Sequence, residues 1–243
     1  MGEAIGWGAL AASSLVFGAA LAFVRAWSDA FVGLILAFGA GALISAVSFE
    51  LAEEGAKIGS NAAVGAGLGV GALTYFFADG LIASRTGTGR GMRGRRQPEA
   101  SDEADSGTSL ALGAFLDGIP EQLVLGIGLA SGEPVSVALV VAIFVSNLPE
   151  GIGAGVDMSK AGMSRGHVIG LFLSVAVVCT LSSGLGYGIA DSISGELQAA
   201  INGFAAGALL VMLIDSMIPE ARHKAGRNAG LVAVLGFAVA TAL

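Results

Sequence analysis

The sequence predicts an all-α protein that crosses a membrane several times. The mean hydropathy is +0.80. Hydrophobic residues make up 54% of the 243 and charged residues only 13%, about half the share of charge in a soluble domain. The apolar residues also fall in long uninterrupted runs. A run of ~20 is the length that spans a bilayer as a helix, and such runs do not show the alternation of a membrane barrel. The 39 glycines fit the same picture, because helices packed in lipid favour small residues that let backbones approach.

Eight such segments can be read, at roughly 4–24, 31–54, 62–83, 109–130, 134–156, 166–190, 196–219 and 229–243. The last is short and is expected to tilt. The N-terminus, Met1-Gly2-Glu3-Ala4, has no basic stretch of the secretory kind, so the first segment reads as a retained helix. Orientation follows from the lysines and arginines, which collect on the cytoplasmic side. With the N-terminus outside, the cytoplasmic loops hold every one of the 12 basic residues except Lys57. That asymmetry predicts both termini outside and residues 84–108 in the cytoplasm.

The loop 84–108 is basic in its first half and acidic in its second, and it is rich in glycine. It cannot bury a core and reads as a flexible linker. Its arginines read as a topology signal rather than as a nucleic-acid site, and no nucleic-acid partner is expected. The chain thus divides into helices 1–3 (1–83), the loop (84–108), a central pair of helices (109–156) and helices 6–8 (157–243), all one membrane domain. A 3+2+3 arrangement of this kind suits an inverted repeat, although no repeat is visible in the letters. Cys179 is the single cysteine, so no intrachain disulfide and no paired-cysteine motif are possible.

The chemistry lies in residues that do not belong in lipid. Charges at membrane depth are expensive and mark function. Helix four holds Asp117 and Glu121, four apart and therefore on one face. Pro120 removes the hydrogen bond to the carbonyl of Leu116, which leaves an extra oxygen beside the two carboxylates. Helix five holds Ser146, Asn147 and Glu150, and Pro149 frees the carbonyl of Val145 in the same way. The two helices run in opposite directions, and at ~1.5 Å per residue their acidic residues match in depth to within roughly one turn. Neither span carries a basic residue to neutralise them. A cation site shared by the two motifs is the expectation, with a structural carboxylate pair as the plain alternative.

These residues resemble the ZIP (Zrt/Irt-like protein) metal transporters. The resemblance covers the whole chain, with eight spans, a long cytoplasmic loop after the third, and Pro-Glu motifs in helices four and five. The family pattern is close to His-Asn-x-Pro-Glu-Gly. Here it stands as Asp117-Gly118-Ile119-Pro120-Glu121-Gln122 and Ser146-Asn147-Leu148-Pro149-Glu150-Gly151. The stretch Asp215 to Glu220 is similar to the end of the family's seventh helix. The resemblance implies uptake of Zn²⁺, Mn²⁺, Fe²⁺, Cd²⁺ or related ions as substrate, with no organic cofactor. It also implies a mid-membrane site, alternating access in which helices one, four, five and six move as a block, and a homodimer in the cell membrane.

The implied metal ligands are Asp117, Glu121, Asn147 and Glu150, with Ser146 and Cys179 beside them. Aspartate and serine stand where the family has histidine, and the only histidines, His167 and His223, fall in cytoplasmic loops. The oxygen-rich set shifts preference toward harder ions, although zinc also accepts carboxylates. One metal rather than two is expected. Cys179 could be a soft ligand, but a lone cysteine in a helix is more often a small hydrophobe. Glu50, Glu53 and Glu54 could concentrate cations at an entrance or form a solvated helix end, and Asp215 and Glu220 could line an exit. Gly39, Gly41, Gly65, Gly67, Gly69 and Gly71 read as helix-packing positions, and Asn202 as an interhelical hydrogen-bonding group.

Two other functions remain. A proton-linked transporter of another solute could use the same carboxylates as a relay, and a family member could bind metal with weak or regulatory activity. An intramembrane enzyme is not expected, because there is no HExxH motif and no histidine in a span to serve as a base.

Overall fold

The computed structural model describes residues 1–25, 27–86, 115, 118–130, 137–160, 162–190 and 192–242. Among these residues there are eight helices and no strand. They are α1 (Gly2–Leu21), α2 (Asp29–Ile58), α3 (Asn61–Thr86), α4 (Gly118–Ala130), α5 (Val137–Lys160), α6 (Arg165–Ala190), α7 (Gly195–Ala225) and α8 (Asn228–Thr241). Six are long and apolar enough to cross a membrane, and α4 and α8 are shorter apolar helices. A polytopic membrane protein is therefore the fold. In hydrocarbon the backbone must satisfy its own polar groups, and the helix does so within one segment. Helix α3 runs on to Thr86, past the expected 83, and the rest of the loop to 108 lies outside the described residues.

Serine begins four of these helices. Ser28, Ser60, Ser164 and Ser194 accept hydrogen bonds from the backbone N–H groups of Phe31, Ala63, His167 and Leu197. Each satisfies a donor that a helix start leaves without a partner. The Ser60 hydroxyl also donates to Glu196 at 2.8 Å, which ties the start of α3 to the first turn of α7. At the other end of α7 stands Gly226 with φ +62°, a left-handed conformation that glycine adopts at no steric cost.

Helices α2 and α7 are built alike. Each begins after a capping serine, and each turns into a π-helical segment the same distance along, at Val47–Glu53 and Leu213–Met217. They pack antiparallel, with Gly33 near the start of α2 against Ala221 and Ala225 of α7, and Gly55 near its end against Asn202. The two π segments therefore lie at opposite ends of the pair. Helix α3 lies along α7, and α8 lies along α2. Both pairings are reciprocal glycine contacts. A Cβ on Gly41 of α2 would strike the Ala233 carbonyl of α8, and one on Gly236 of α8 would strike the Phe38 carbonyl of α2. In the same way Gly67 of α3 meets the Ala200 carbonyl of α7, and Gly207 of α7 meets the Leu68 carbonyl of α3. This is the repeat that the letters conceal.

Gly65 and Gly69 depart from expectation. A side chain on either would meet nothing within 4 Å. They sit on the face of α3 turned away from α7, so half of that glycine row packs and half does not. Asn202 also departs, because its Oδ1 is buried without a hydrogen-bond partner.

The other four helices form a second group. Helix α1 packs on α5 and α6, and their apolar cluster holds Leu15, Met158, Phe172 and Cys179. Helix α4 approaches α6 closely, with Gly126 against the Ser183 carbonyl and Gly186 against the Leu123 carbonyl. The groups join where α2 packs on α5, beside the second Pro-Glu motif.

Candidate metal centre

The motif on α5 is held on two sides by glycines. On one side, Gly18 of α1 abuts the Leu148 carbonyl, and a Cβ there would also come within 2.9 Å of Gly151 Cα. On the other, a Cβ on Gly39 of α2 would stand 3.0 Å from Ser146 Cα and 3.1 Å from the Val145 carbonyl oxygen. That carbonyl is the one that Pro149, inside the helix, leaves without its usual partner. Backbone against backbone leaves the motif little room to shift.

Within this grip, Ser146 and Asn147 are buried. The Ser146 hydroxyl donates to the Ile143 carbonyl at 3.0 Å, so its lone pairs remain for another donor or a cation. Glu150 is half-buried, but its Oε2 is buried and has no hydrogen-bond partner. Glu121, on α4, is 2% exposed and likewise has Oε2 buried and unpartnered. The two carboxylates lie within electrostatic reach of each other. No lysine, arginine or histidine occurs anywhere between Gly118 and Ser159. Two like charges in an apolar interior with no basic partner are costly unless a cation joins them.

Asp117 lies outside the described residues, so its place relative to this pair is not described. Among the described residues, no three His, Cys, Asp or Glu side chains converge on one point. Cys179 is buried, and its Sγ lies 2.5 Å from where a Cβ on Gly118 would stand. It packs among the apolar side chains of α1, α5 and α6.

The outlying acidic residues divide. Glu50 is half-buried in the π segment of α2, while Glu53 and Glu54 are exposed and pair with Lys57 at 3.1 and 3.5 Å. Asp215 is exposed in the π segment of α7, and Glu220 pairs with Lys224 at 2.9 Å. His167 and His223 are exposed, but they lie inside helices and not in loops as expected: His167 in the first turn of α6 and His223 in the last turn of α7.

Two residues beside the motifs had no role from sequence reasoning. Met217, the last residue of the α7 π segment, is buried with its methyl carbon 3.2 Å from the Gly39 Cβ position, next to Ser146. Gln122, directly after Glu121, is wholly buried. A polar amide in an apolar helix was a visible signal for Gln122. A methionine in an apolar helix gives no such signal.

The profile of the family described as ZIP zinc transporter matches residues 82–243. The matched region contains both Pro-Glu helices and all of α5 to α8. No curated protein matches the chain.

Proposed function

We propose, from the premise that this chain belongs to the ZIP zinc transporter family, that it carries divalent transition-metal ions into the cytoplasm through a site between α4 and α5. Membership alone makes divalent-metal transport its activity and a metal ion its substrate. The location of the site and the route rest on the residues. One observation carries them: Glu121 and Glu150 come from different helices, each with a buried carboxylate oxygen that has no hydrogen-bond partner among the described residues.

In this reading Glu121 and Glu150 supply charge, and Asn147 and Ser146 supply neutral oxygens from the same turn of α5. Asp117 completes the set from the motif on α4, and Cys179 stands at its edge. Carboxylate and carbonyl oxygens suit Mn²⁺ and Fe²⁺ and are also accepted by Zn²⁺. Both termini face outward. Glu50, Glu53 and Glu54 then lie at the outer end of α2, where negative charge raises the local cation concentration. Asp215 and Glu220 lie toward the cytoplasmic end of α7. Alternating access moves α1, α4, α5 and α6 against α2, α3, α7 and α8. The working unit is a homodimer in the cell membrane.

The test is uptake of Zn²⁺, Mn²⁺, Fe²⁺ and Cd²⁺ into proteoliposomes. Wild-type protein gives saturable uptake, and the double variant Glu121→Ala/Glu150→Ala gives none. Unchanged uptake by the double variant refutes the site. Proton flux with no metal movement and no bound metal supports a proton-linked carrier of another solute instead.

A further inference from the structure

The chain holds a third Pro-Glu pair, Pro219-Glu220, in the last turns of α7. It differs from the other two. No lysine, arginine or histidine stands between Gly118 and Ser159, around the first two. The third glutamate has a cation in place: Lys224 Nζ lies 2.9 Å from Glu220 Oε1.

A glutamate four residues before a lysine is a common helix pair, and an exposed one contributes little. This pair is more confined. The Lys224 side chain is 16% exposed and that of Glu220 33%. The lysine stem is held by α2. Lys224 Cβ lies 2.7 Å from where a Cβ on Gly33 would stand, and the Ala221 carbonyl oxygen lies 3.0 Å from the same point. Glycine at 33 leaves room for that stem and for nothing larger beside it. The loss of side-chain freedom that weakens most surface pairs is here already met by packing.

The matching place on α2 is charged differently. Glu54 and Glu220 stand equally far from the starts of their helices, each beyond a π segment. Around Glu54, the three carboxylates of Glu50, Glu53 and Glu54 share one exposed lysine, Lys57. Around Glu220, the two carboxylates of Asp215 and Glu220 stand among Arg222, Lys224 and Arg227. One end of the helix pair is therefore negative and the other positive. In the orientation proposed above, the negative end faces outside and the positive end faces the cytoplasm.

We propose that Lys224 is a tethered ammonium that occupies the Glu220 carboxylate and keeps divalent ions from resting there. A compact point charge on a flexible stem suits that task. An ion released toward the cytoplasm meets a carboxylate already neutralised, so it leaves instead of being held. An ion on the cytoplasmic side finds no bare carboxylate by which to enter, and the surrounding positive charge lowers its local concentration. Lys224 is a positioning residue that acts through Glu220 and touches no metal. Its effect on transport rests on the function proposed above, whereas its hold on Glu220 can be judged without transport.

The first test exposes purified full-length protein to Fe²⁺ with ascorbate and peroxide, which cuts the backbone beside a bound iron, and sizes the fragments by mass spectrometry. Lys224→Met keeps the stem and removes the charge. It is expected to raise cleavage near residues 215–224 several-fold over wild type. Lys224→Arg is expected to stay at the wild-type level, and adding Glu220→Gln to Lys224→Met is expected to return cleavage to that level. The melting temperature of Lys224→Met should stay within about 2 °C of wild type, because such a pair contributes little to stability. Equal cleavage in wild type and Lys224→Met overturns the proposal. So does extra cleavage that survives Glu220→Gln, or a melting temperature several degrees lower, which would make the pair a brace of the fold. The second test measures Mn²⁺ movement in inverted and right-side-out membrane vesicles. Lys224→Met is expected to lower the half-saturating Mn²⁺ concentration several-fold in inverted vesicles, less so at high salt, and to leave it unchanged in right-side-out vesicles. No change in inverted vesicles overturns the release role. A wild-type chain that moves no metal in either vesicle refutes the transport reading, and the cleavage result still judges Lys224.

Discussion

The two Pro-Glu helices carry the same motif in different settings. On α5 the motif is clamped, with Gly18 of α1 against the Leu148 carbonyl and Gly39 of α2 beside Val145 and Ser146. On α4 the residue after the glutamate is a buried amide without a hydrogen-bond partner among the described residues, and it packs where Gly8 of α1 meets Ser183 of α6. A glutamate on a clamped helix is held at one depth and angle. On α4 the close contacts are with α6 instead, at Gly118 with Cys179 and at Gly126 with Ser183. The pair teaches that equal motifs can stand in unequal packing: the motif on α5 has a neighbouring helix backbone on both sides, whereas the close contacts of α4 are with α6.

The largest effect breaks or upholds the claim that the motifs form one site. Glu121→Ala and Glu150→Ala should each reduce uptake by more than the ~10–100-fold that outer groups around a metal cost. The double variant should be no worse than either single, because residues that act as a unit are strongly non-additive. Uptake surviving one single substitution would mean that the helices contribute unequally.

The next effect tests the clamp. Gly18→Leu places a side chain in the Leu148 carbonyl and should cost about 1–3 kcal/mol or more in stability, read as a fall in melting temperature in detergent. Gly153→Ala, on α5 itself, is the control, since a Cβ there meets nothing within 4 Å. It should be neutral or stabilising by up to ~1 kcal/mol through helix propensity. Equal effects at the two positions would remove the clamp from the comparison.

A smaller effect sharpens the role of the neutral oxygens. Asn147→Ala should weaken metal binding by about tenfold with little change in melting temperature, measured by competitive titration of purified protein. Smallest of all, Glu53→Gln with Glu54→Gln should lower uptake by about twofold at low ionic strength and by less at physiological salt, because exposed charges are screened. An effect that does not depend on salt would assign these residues a direct binding role.

Much of the fold was legible in the letters because bilayer physics is blunt. Long apolar runs must be helices, and all eight expected segments correspond to observed helices. The serines at 28, 60, 164 and 194 stood visibly before helix starts. Pro149 before Glu150 marked a carboxylate within an apolar run, and the helix continues through the proline. Other features were hidden. Gly65, Gly67, Gly69 and Gly71 look alike in sequence, and only the position of α7 separates the packed pair from the open one. The likeness of α2 and α7 lies in caps, lengths and π segments, none of which needs shared letters. Gln122 was visible as polar, but whether it had a partner depended on α1 and α6.

The amino-acid sequence by itself determined that this chain crosses a membrane as a bundle of helices and carries two Pro-Glu motifs within its apolar segments. Both follow from local chemistry, the hydropathy of a run and the spacing along one helix. Tertiary structure alone decided which face each motif turns to which neighbour. It set Gln122 beside Gly8 and Ser146 beside Gly39, because the direction of a side chain around a helix gains meaning only when the neighbouring helices are in place.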